Sequence, residues 1–231
     1  MSKVFRRVAG VLLFVATFTA AAQTAQDVAA LRAQAESGDA KAQYHLGMLY
    51  LSGRGISQDS VQALQWIRQA AEQGNTDAQD ELGTLYNLGL GVPQDYAQAA
   101  IWYRKAAEQG DADAQSELAR LYRDGAGVPL DYAQAASWFR KAALQGVAEA
   151  QLNLGLLYAA GNGAPQDYAE AYFWLDIALA SSAKLPYPAE SDYAVKARND
   201  AASHLTPADL SRVQERARKW FDDHAAKIHT Q

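Results

Sequence analysis

The sequence predicts an all-α fold, a solenoid of four helix pairs with capping helices at its N- and C-terminal ends. Three observations predict it. A 36-residue period recurs from Gly38 onward, each half of the period carries helical apolar spacing, and glycine and proline separate the halves. Gly38, Gly74, Gly110 and Gly146 open the copies. Leu82, Tyr86, Gly89, Gly91, Asp95, Ala99, Trp102 and Ala106 each have a same-type partner 36 positions away. A fixed period of this length marks supersecondary units that bury their apolar faces only by stacking on one another. The chain accordingly divides into a leader (1–22), an N-terminal capping helix (23–37) and repeats over 38–73, 74–109, 110–145 and 146–182. C-terminal capping helices and a tail follow over 183–231.

Within the second copy, Ala78, Leu82, Leu85 and Tyr86 share one face of a first helix, A. Gly89 is placed as the left-handed residue that ends it, and Pro93 keeps the helix from resuming. Asp95 then caps a second helix, B, with Gln98 three residues on. The pair recurs as Asp59/Gln62, Asp131/Gln134 and Asp167/Glu170. Along helix B, Ala99, Trp102 and Ala106 place one large ring between two small residues. Trp66, Trp102, Trp138 and Trp174 are therefore expected to fill the gap between layers.

The string A-Q-x-x-L-G-x-L-Y-x-x-G-x-G-V-x-x-D-x-x-x-A-x-x-W-x-x-K-A-A-x-x-G, running through the copies from Gly38 to Ser182, resembles the Sel-one-like repeat (SLR), an α/α relative of the tetratricopeptide repeat. The resemblance implies a right-handed superhelix of helix pairs. It also implies an exported bacterial adaptor for protein complexes, with a partner that the fold does not specify.

At the N-terminus, Lys3, Arg6 and Arg7 precede an apolar run from Val8 to Ala20, and Ala20-Ala21-Ala22 offers small residues before Gln23. This is the pattern of a secretory leader cleaved after Ala22. The run is shorter than the ~20 residues that span a bilayer. Cleavage leaves 18 of the 21 Lys and Arg against 26 Asp and Glu, a net charge of −8. That charge argues against nucleic acid and against anionic membranes as partners. The protein is expected in the periplasm or the secreted space, with no membrane attachment after cleavage. Without cysteine there are no disulfide staples, so stacking must supply the stability. Cysteine-rich relatives, to which the resemblance attaches peptidoglycan- or β-lactam-handling activity, set the alternative function. The absence of cysteine counts against it.

The segment 27–37 resembles a helix B without its helix A: Leu31, Ala35 and Glu36 stand 36 residues before Ile67, Ala71 and Glu72. The copies also differ. Ser57 replaces the loop proline of Pro93, Pro129 and Pro165. Ala119 replaces the helix-A glycine of Gly47, Gly83 and Gly155. Val147 stands where Asp39, Asn75 and Asp111 can cap. In the fourth helix B, Asp176-Ile177 replaces Arg104-Lys105 and Arg140-Lys141, and Leu179 replaces an alanine. The loss of exposed cations predicts that another element covers this helix. That element is the C-terminal segment, with Ala194, Ala197, Ala201 and Leu205 on one helix. A second helix starts at Thr206-Pro207-Ala208-Asp209 and carries Leu210, Val213, Ala217, Trp220 and Phe221. Fraying is expected after His224.

No catalytic, cofactor-binding or metal-binding residue is assigned. His45, His204, His224 and His229 lack ligand spacing, and no phosphate loop, dinucleotide fingerprint or serine elbow occurs. Ser181-Ser182-Ala183-Lys184 matches Ser-x-x-Lys, but lies at a helix end beside prolines and without the companion motifs that penicillin-recognising enzymes need. The chain reads as a non-enzymatic scaffold that binds a protein or peptide segment. The binding face is the side of the A helices opposite the core, which in such superhelices lines the concave wall. Its residues are Tyr44, Met48, Asp80, Glu81, Thr84, Ser116, Glu117, Arg120, Arg123, Leu152 and Leu156. This face would be charged centrally and apolar at its ends, whereas Arg104→Ala, on the convex side, is expected to leave binding unchanged.

Overall fold

The structure is a computed structural model that describes residues 26–181 and 188–228. The leader and Lys184 of the Ser-x-x-Lys string lie outside the described residues. Every element among the described residues is an α-helix. These are α1 (26–36), α2 (Ala40–Ser52), α3 (Ser60–Glu72), α4 (Thr76–Leu88), α5 (Tyr96–Glu108), α6 (Ala112–Asp124), α7 (Tyr132–Leu144), α8 (Ala148–Ala160), α9 (Tyr168–Ala180), α10 (Pro188–Ser203) and α11 (Pro207–Ile228). The last continues through the point where fraying was expected. Two compact units meet between Asp95 and Tyr96, so the first holds α1 to α4 and the second α5 to α11.

The helices start and stop where the expected chemistry puts them. Asp39, Asn75 and Asp111 each accept from a backbone N–H three residues on, at 2.7–2.8 Å, and Asp59, Asp131 and Asp167 cap α3, α7 and α9. Val147 provides no side-chain cap to α8. Gly125, at φ 65°, ends α6 in the left-handed region and donates its N–H to Leu121. The next loop glycine has a different reason. A Cβ on Gly163 (φ 76°) would sit 2.1 Å from the carbonyl oxygen of Tyr132, and one on Gly91 would sit 2.3 Å from that of Ser60. The loop thus crosses directly over the start of the preceding B helix, where only a bare backbone fits.

In the first unit, α3 packs against both α2 and α4. Ala35 of α1 meets Ala42 and Leu46 of α2, and Leu31, Tyr50 and Trp66 close around them. Helix α1 therefore occupies the place of a B helix, as its spacing predicts. In the second unit, α6 lies against α5 and α7, and α8 against α7 and α9. Helix α9 is covered by α10 and α11. The covering element expected from Asp176 is present, and the substituted aspartate itself accepts from Arg198 of α10 at 3.1 Å.

Two polar series tie each helix B to the next helix A. Buried Gln43, Gln79, Gln115 and Gln151 each donate Nε2 at 3.1 Å to a carbonyl in the last turn of the preceding helix, those of Ala35, Ala71, Ala107 and Ala143. Each of these carbonyls also accepts, at 3.0–3.1 Å, from the backbone N–H of the glycine that opens the copy, Gly38, Gly74, Gly110 or Gly146. The Oε1 of Gln43 accepts from Gln73 and that of Gln115 from Gln145. The counterpart 36 residues on is Ser181, too short to reach, and the buried Oε1 of Gln151 has no partner among the described residues. In the second series Arg32, Arg68, Arg104 and Arg140 donate to the hydroxyls of Tyr50, Tyr86, Tyr122 and Tyr158. Arg104 is thus held to Tyr122 as part of the stack.

The tryptophan reading also needs correction. Trp174 and Trp102 are buried, but Trp66 and Trp138 are only half-buried. Lys105 and Lys141 lie 3.7 Å over the rings of Trp102 and Trp138. The fully enclosed position is the next one along helix B, occupied by Ile67, Tyr103, Phe139 and Leu175, all at 0–1% exposure. It faces the helix-A glycine: a Cβ on Gly47 would lie 2.5 Å from Ile67, and one on Gly155 would lie 2.7 Å from Leu175.

The two loop glycines of different kind give a direct check. Gly146 has φ 91° and nothing within 4 Å of an added Cβ. Gly146→Ala should cost about 1 to 2 kcal/mol from backbone strain alone. Gly163→Ala should cost roughly 2 kcal/mol more, since the loop must also lift off Tyr132. Urea denaturation of the two variants measures the difference.

Candidate interaction surface

In the first unit, α2 and α4 turn Ala42, Leu46, Ala78, Leu82 and Leu85 into the core, which leaves Tyr44, Met48, Asp80, Glu81 and Thr84 on the other sides. All five are half-buried rather than freely solvated. Burial has an electrostatic consequence at Glu81. Desolvation pushes its carboxyl above the usual carboxylate range, and among the described residues no cation pairs with it. An uncompensated carboxylate on a helix face favours either its own protonation or an incoming positive group.

In the second unit the expected face is largely occupied by the chain itself. Ser116 is buried at 6% exposure and is not available as a contact. Glu117 and Arg120 neutralise one another one turn apart, at 2.6 Å. Arg123 forms two bonds to Asp124, at 2.7 and 3.0 Å, and a third to Asn153 of α8. Asp113 is pushed up mainly by desolvation and further by Asp111 and Glu117, so acid outweighs base at this end of α6. Leu152, expected as an apolar anchor for a ligand, is buried with Leu175 and Ala178 against Ala194 of α10. The apolar pair Leu152/Leu156 was written into α8 chiefly to receive α10, whose Ala197 and Ala194 are small enough for close approach. Leu156 packs on the edge of that cluster.

Helix α10 does not lie flush along α8, and a cleft of about 970 Å³ remains between them. Arg123 and Asn153 border it, Leu156 and Leu157 line the α8 side, and Tyr193, Lys196, Asp200 and Ser203 line the α10 side. Of these, only Arg123 and Leu156 are among the residues read from the repeats. The α10 residues escape that reading because they lie outside the 36-residue period. Their own spacing, i, i+3, i+7 and i+10, marks a second stripe beside Ala194, Ala197 and Ala201.

The remaining polar candidates have structural surroundings. Ser181 follows α9 as its C-cap, donating its N–H to Ile177, and so is not at a helix start. His204 stacks on Tyr168 at 4.0 Å, and His224 stacks on Trp220 at 4.0 Å. Among the described residues no three acidic, histidine or cysteine side chains gather to hold a metal ion. Nor is any helix among them long and apolar enough to cross a membrane.

The Sel1 repeat family model matches residues 40–75, 76–111, 112–147, 148–181 and 198–222. The fifth match falls on the C-terminal helices, which sequence spacing alone reads as a cap. Among solved structures, a protective antigen present in uropathogenic Escherichia coli strains and displaying an SLR fold is 46% identical, with a TM-score of 0.65 over 67% of this chain and 33% of that one. A Sel1 repeat protein from Oxalobacter formigenes is 39% identical, with a TM-score of 0.64 over 74% of this chain and 49% of that one. The chain thus spans about a third and about half of the length of these two proteins. No curated protein matches the chain.

The carboxyl of Glu81 gives a pH test with a definite sign. A raised folded-state pKa penalises the native state above that pKa, and the penalty vanishes below the ordinary carboxyl value of 4.5. Glu81→Gln should therefore be more stable than wild type at pH 7, with the advantage shrinking as pH falls toward 4.5. Paired denaturation curves at the two pH values check it.

Proposed function

Because the chain belongs to the Sel1 repeat family, whose members are typically protein–protein interaction scaffolds, we propose that it is a non-enzymatic adaptor. It works in the periplasm or another exported space after loss of residues 1–22, and holds a segment of another protein against its A helices. One observation carries this reading: the polar chemistry that repeats is consumed in holding the helices together, and the chemistry that varies lies on the outer sides of the A helices. The repeating glutamines, arginines, tyrosines and capping carboxylates all have partners inside the fold. Non-repeating Tyr44 and Met48 are built into no such series, and Glu81, whose counterpart Glu117 pairs with Arg120, has no cation partner among the described residues. The half-buried carboxylate of Glu81 favours a partner that presents a cationic group, and the flanking apolar side chains favour an apolar anchor beside it.

Export is tested by intact mass of the protein recovered from the producing bacterium. The mature chain should begin at Gln23, and a chain that retains residues 1–22 would contradict the reading.

The interaction is tested by site-specific photo-cross-linking in the same cells. A cross-linker at Met48 or Thr84 should capture a defined protein, while one at Ser137, exposed on helix α7, should not. With the captured partner in hand, Tyr44→Ala and Met48→Ala should each weaken binding roughly three- to tenfold. Glu81→Lys should weaken it most at low salt. Capture from Ser137 but not from Thr84 would place the partner on the other face.

A further inference from the structure

The cleft between α8 and α10 in the second unit is bordered by charges of both signs that the protein does not itself use. Arg123 at its border is committed to Asp124 and Asn153. Lys196 and Asp200, by contrast, are exposed, and among the described residues neither side chain has a hydrogen-bond or ion-pair partner. They stand one helical turn apart in the order Lys then Asp, the less favourable order for pairing along a helix. Tyr193, at 56% exposure, continues the same stripe at the cleft mouth and leaves most of an aromatic ring uncovered. The facing wall places Leu156 and Leu157 of α8 opposite this stripe, with Asn153 and Asn162 as its polar members and Asp124 held by Arg123 at the border.

We propose that this cleft binds an extended segment of a partner protein in which an acidic, an apolar and a basic residue follow one another. The proposal rests on the reading of the chain as an interaction scaffold and names what this part of it recognises. Spacing is the first argument. Four residues along α10 separate Lys196 from Asp200 by about 6 Å. Alternate residues of an extended chain are separated by roughly 6.6 Å and point to the same side. One strand can therefore set its acid against Lys196 and its base against Asp200 together. The residue between them then points the opposite way, toward Leu156 and Leu157. Size is the second argument, since about 970 Å³ lies at the upper end of the range for sites that enclose a ligand. Charge is the third: a segment with both signs leaves neither Lys196 nor Asp200 desolvated and unpaired, whereas a segment of one sign must bury a like charge against one of them. Tyr193 would close over the bound strand.

The test is chemical-shift mapping on the isotopically labelled protein with three capped heptapeptides. These share Gly-Ser and Ser-Gly flanks and carry Asp-Leu-Arg, Asn-Leu-Gln or Arg-Leu-Arg at the centre. The Asp-Leu-Arg peptide should shift the amides of residues 193–203 and of Leu156 in a saturable way, and bind about three- to tenfold more tightly than Asn-Leu-Gln. Lys196→Glu should invert the ranking so that Arg-Leu-Arg binds better than Asp-Leu-Arg. Leu156→Arg, at the edge of its cluster, should abolish the cleft shifts while the rest of the spectrum stays folded. Equal binding of all three peptides, shifts confined to other helices, or indifference to Lys196→Glu would each overturn the proposal. If the Asp-Leu-Arg peptide fails here while Thr84 cross-links to a partner, the scaffold reading stands and this cleft is not its site.

Discussion

A buried carboxamide reaching a helix-end carbonyl is the contact on which the stacking of these helix pairs depends. The last carbonyls of a helix have no acceptor role within it, and helix ends packed against a neighbour lose water as a partner. Gln43, Gln79, Gln115 and Gln151 donate across to the preceding helix at one fixed distance, a second bond to carbonyls that also accept from the N–H of Gly38, Gly74, Gly110 and Gly146. Each bond brings a helix A against the end of the preceding helix B in one register, while on its other side the helix-A glycine, Gly47 or Gly155, receives Ile67 or Leu175 of the following helix B. The glutamine is thus where the hydrogen-bond requirement of one helix becomes the packing geometry of the next. Its cost is visible at the fourth copy, where Ser181 cannot supply the second bond and Gln151 is left with an unpaired oxygen.

Most of the fold is legible in the sequence because short-range rules and a strict period act together. Asp39, Asp59 and Asp131 cap because an acceptor at that position meets free N–H groups whatever surrounds it, and the uncapped start at Val147 follows from the same rule. The loss of exposed cations at Asp176-Ile177, with Leu179 in place of an alanine, points to a covering helix, and Arg198 of that helix donates to Asp176. The depth of burial is less legible. A single helical wheel gives Trp138 as the centre of the core, yet a B helix in a stack touches the A helices on both sides of it, as α7 touches α6 and α8, and the fully enclosed residue is Phe139.

The candidate surface is read least well, for the same reason. A face drawn opposite the core of one A helix takes no account of neighbours. Ser116 is lost to them, and so is Leu152 once α10 arrives. What remains accessible divides by unit. In the first unit it is Tyr44, Met48 and the uncompensated Glu81; in the second it is the cleft edged by Leu156 and by a stripe of α10 that no repeat could foretell. The structure spends most of its repeating polar residues on stacking and leaves the irregular Tyr44 and Met48 outside those series.

The glutamine contact can be tested by a change of a single atom. Gln115→Glu keeps the shape but cannot donate to Ala107 when ionised, and it forces a buried carboxylate toward a carbonyl oxygen. Urea unfolding at pH 7 should show a loss of about 2 kcal/mol or more relative to wild type. At acid pH the protonated carboxyl regains a donor, so most of that loss should disappear. A deficit that is absent at pH 7, or that persists unchanged at both pH values, would contradict the claim that this hydrogen bond sets the stack.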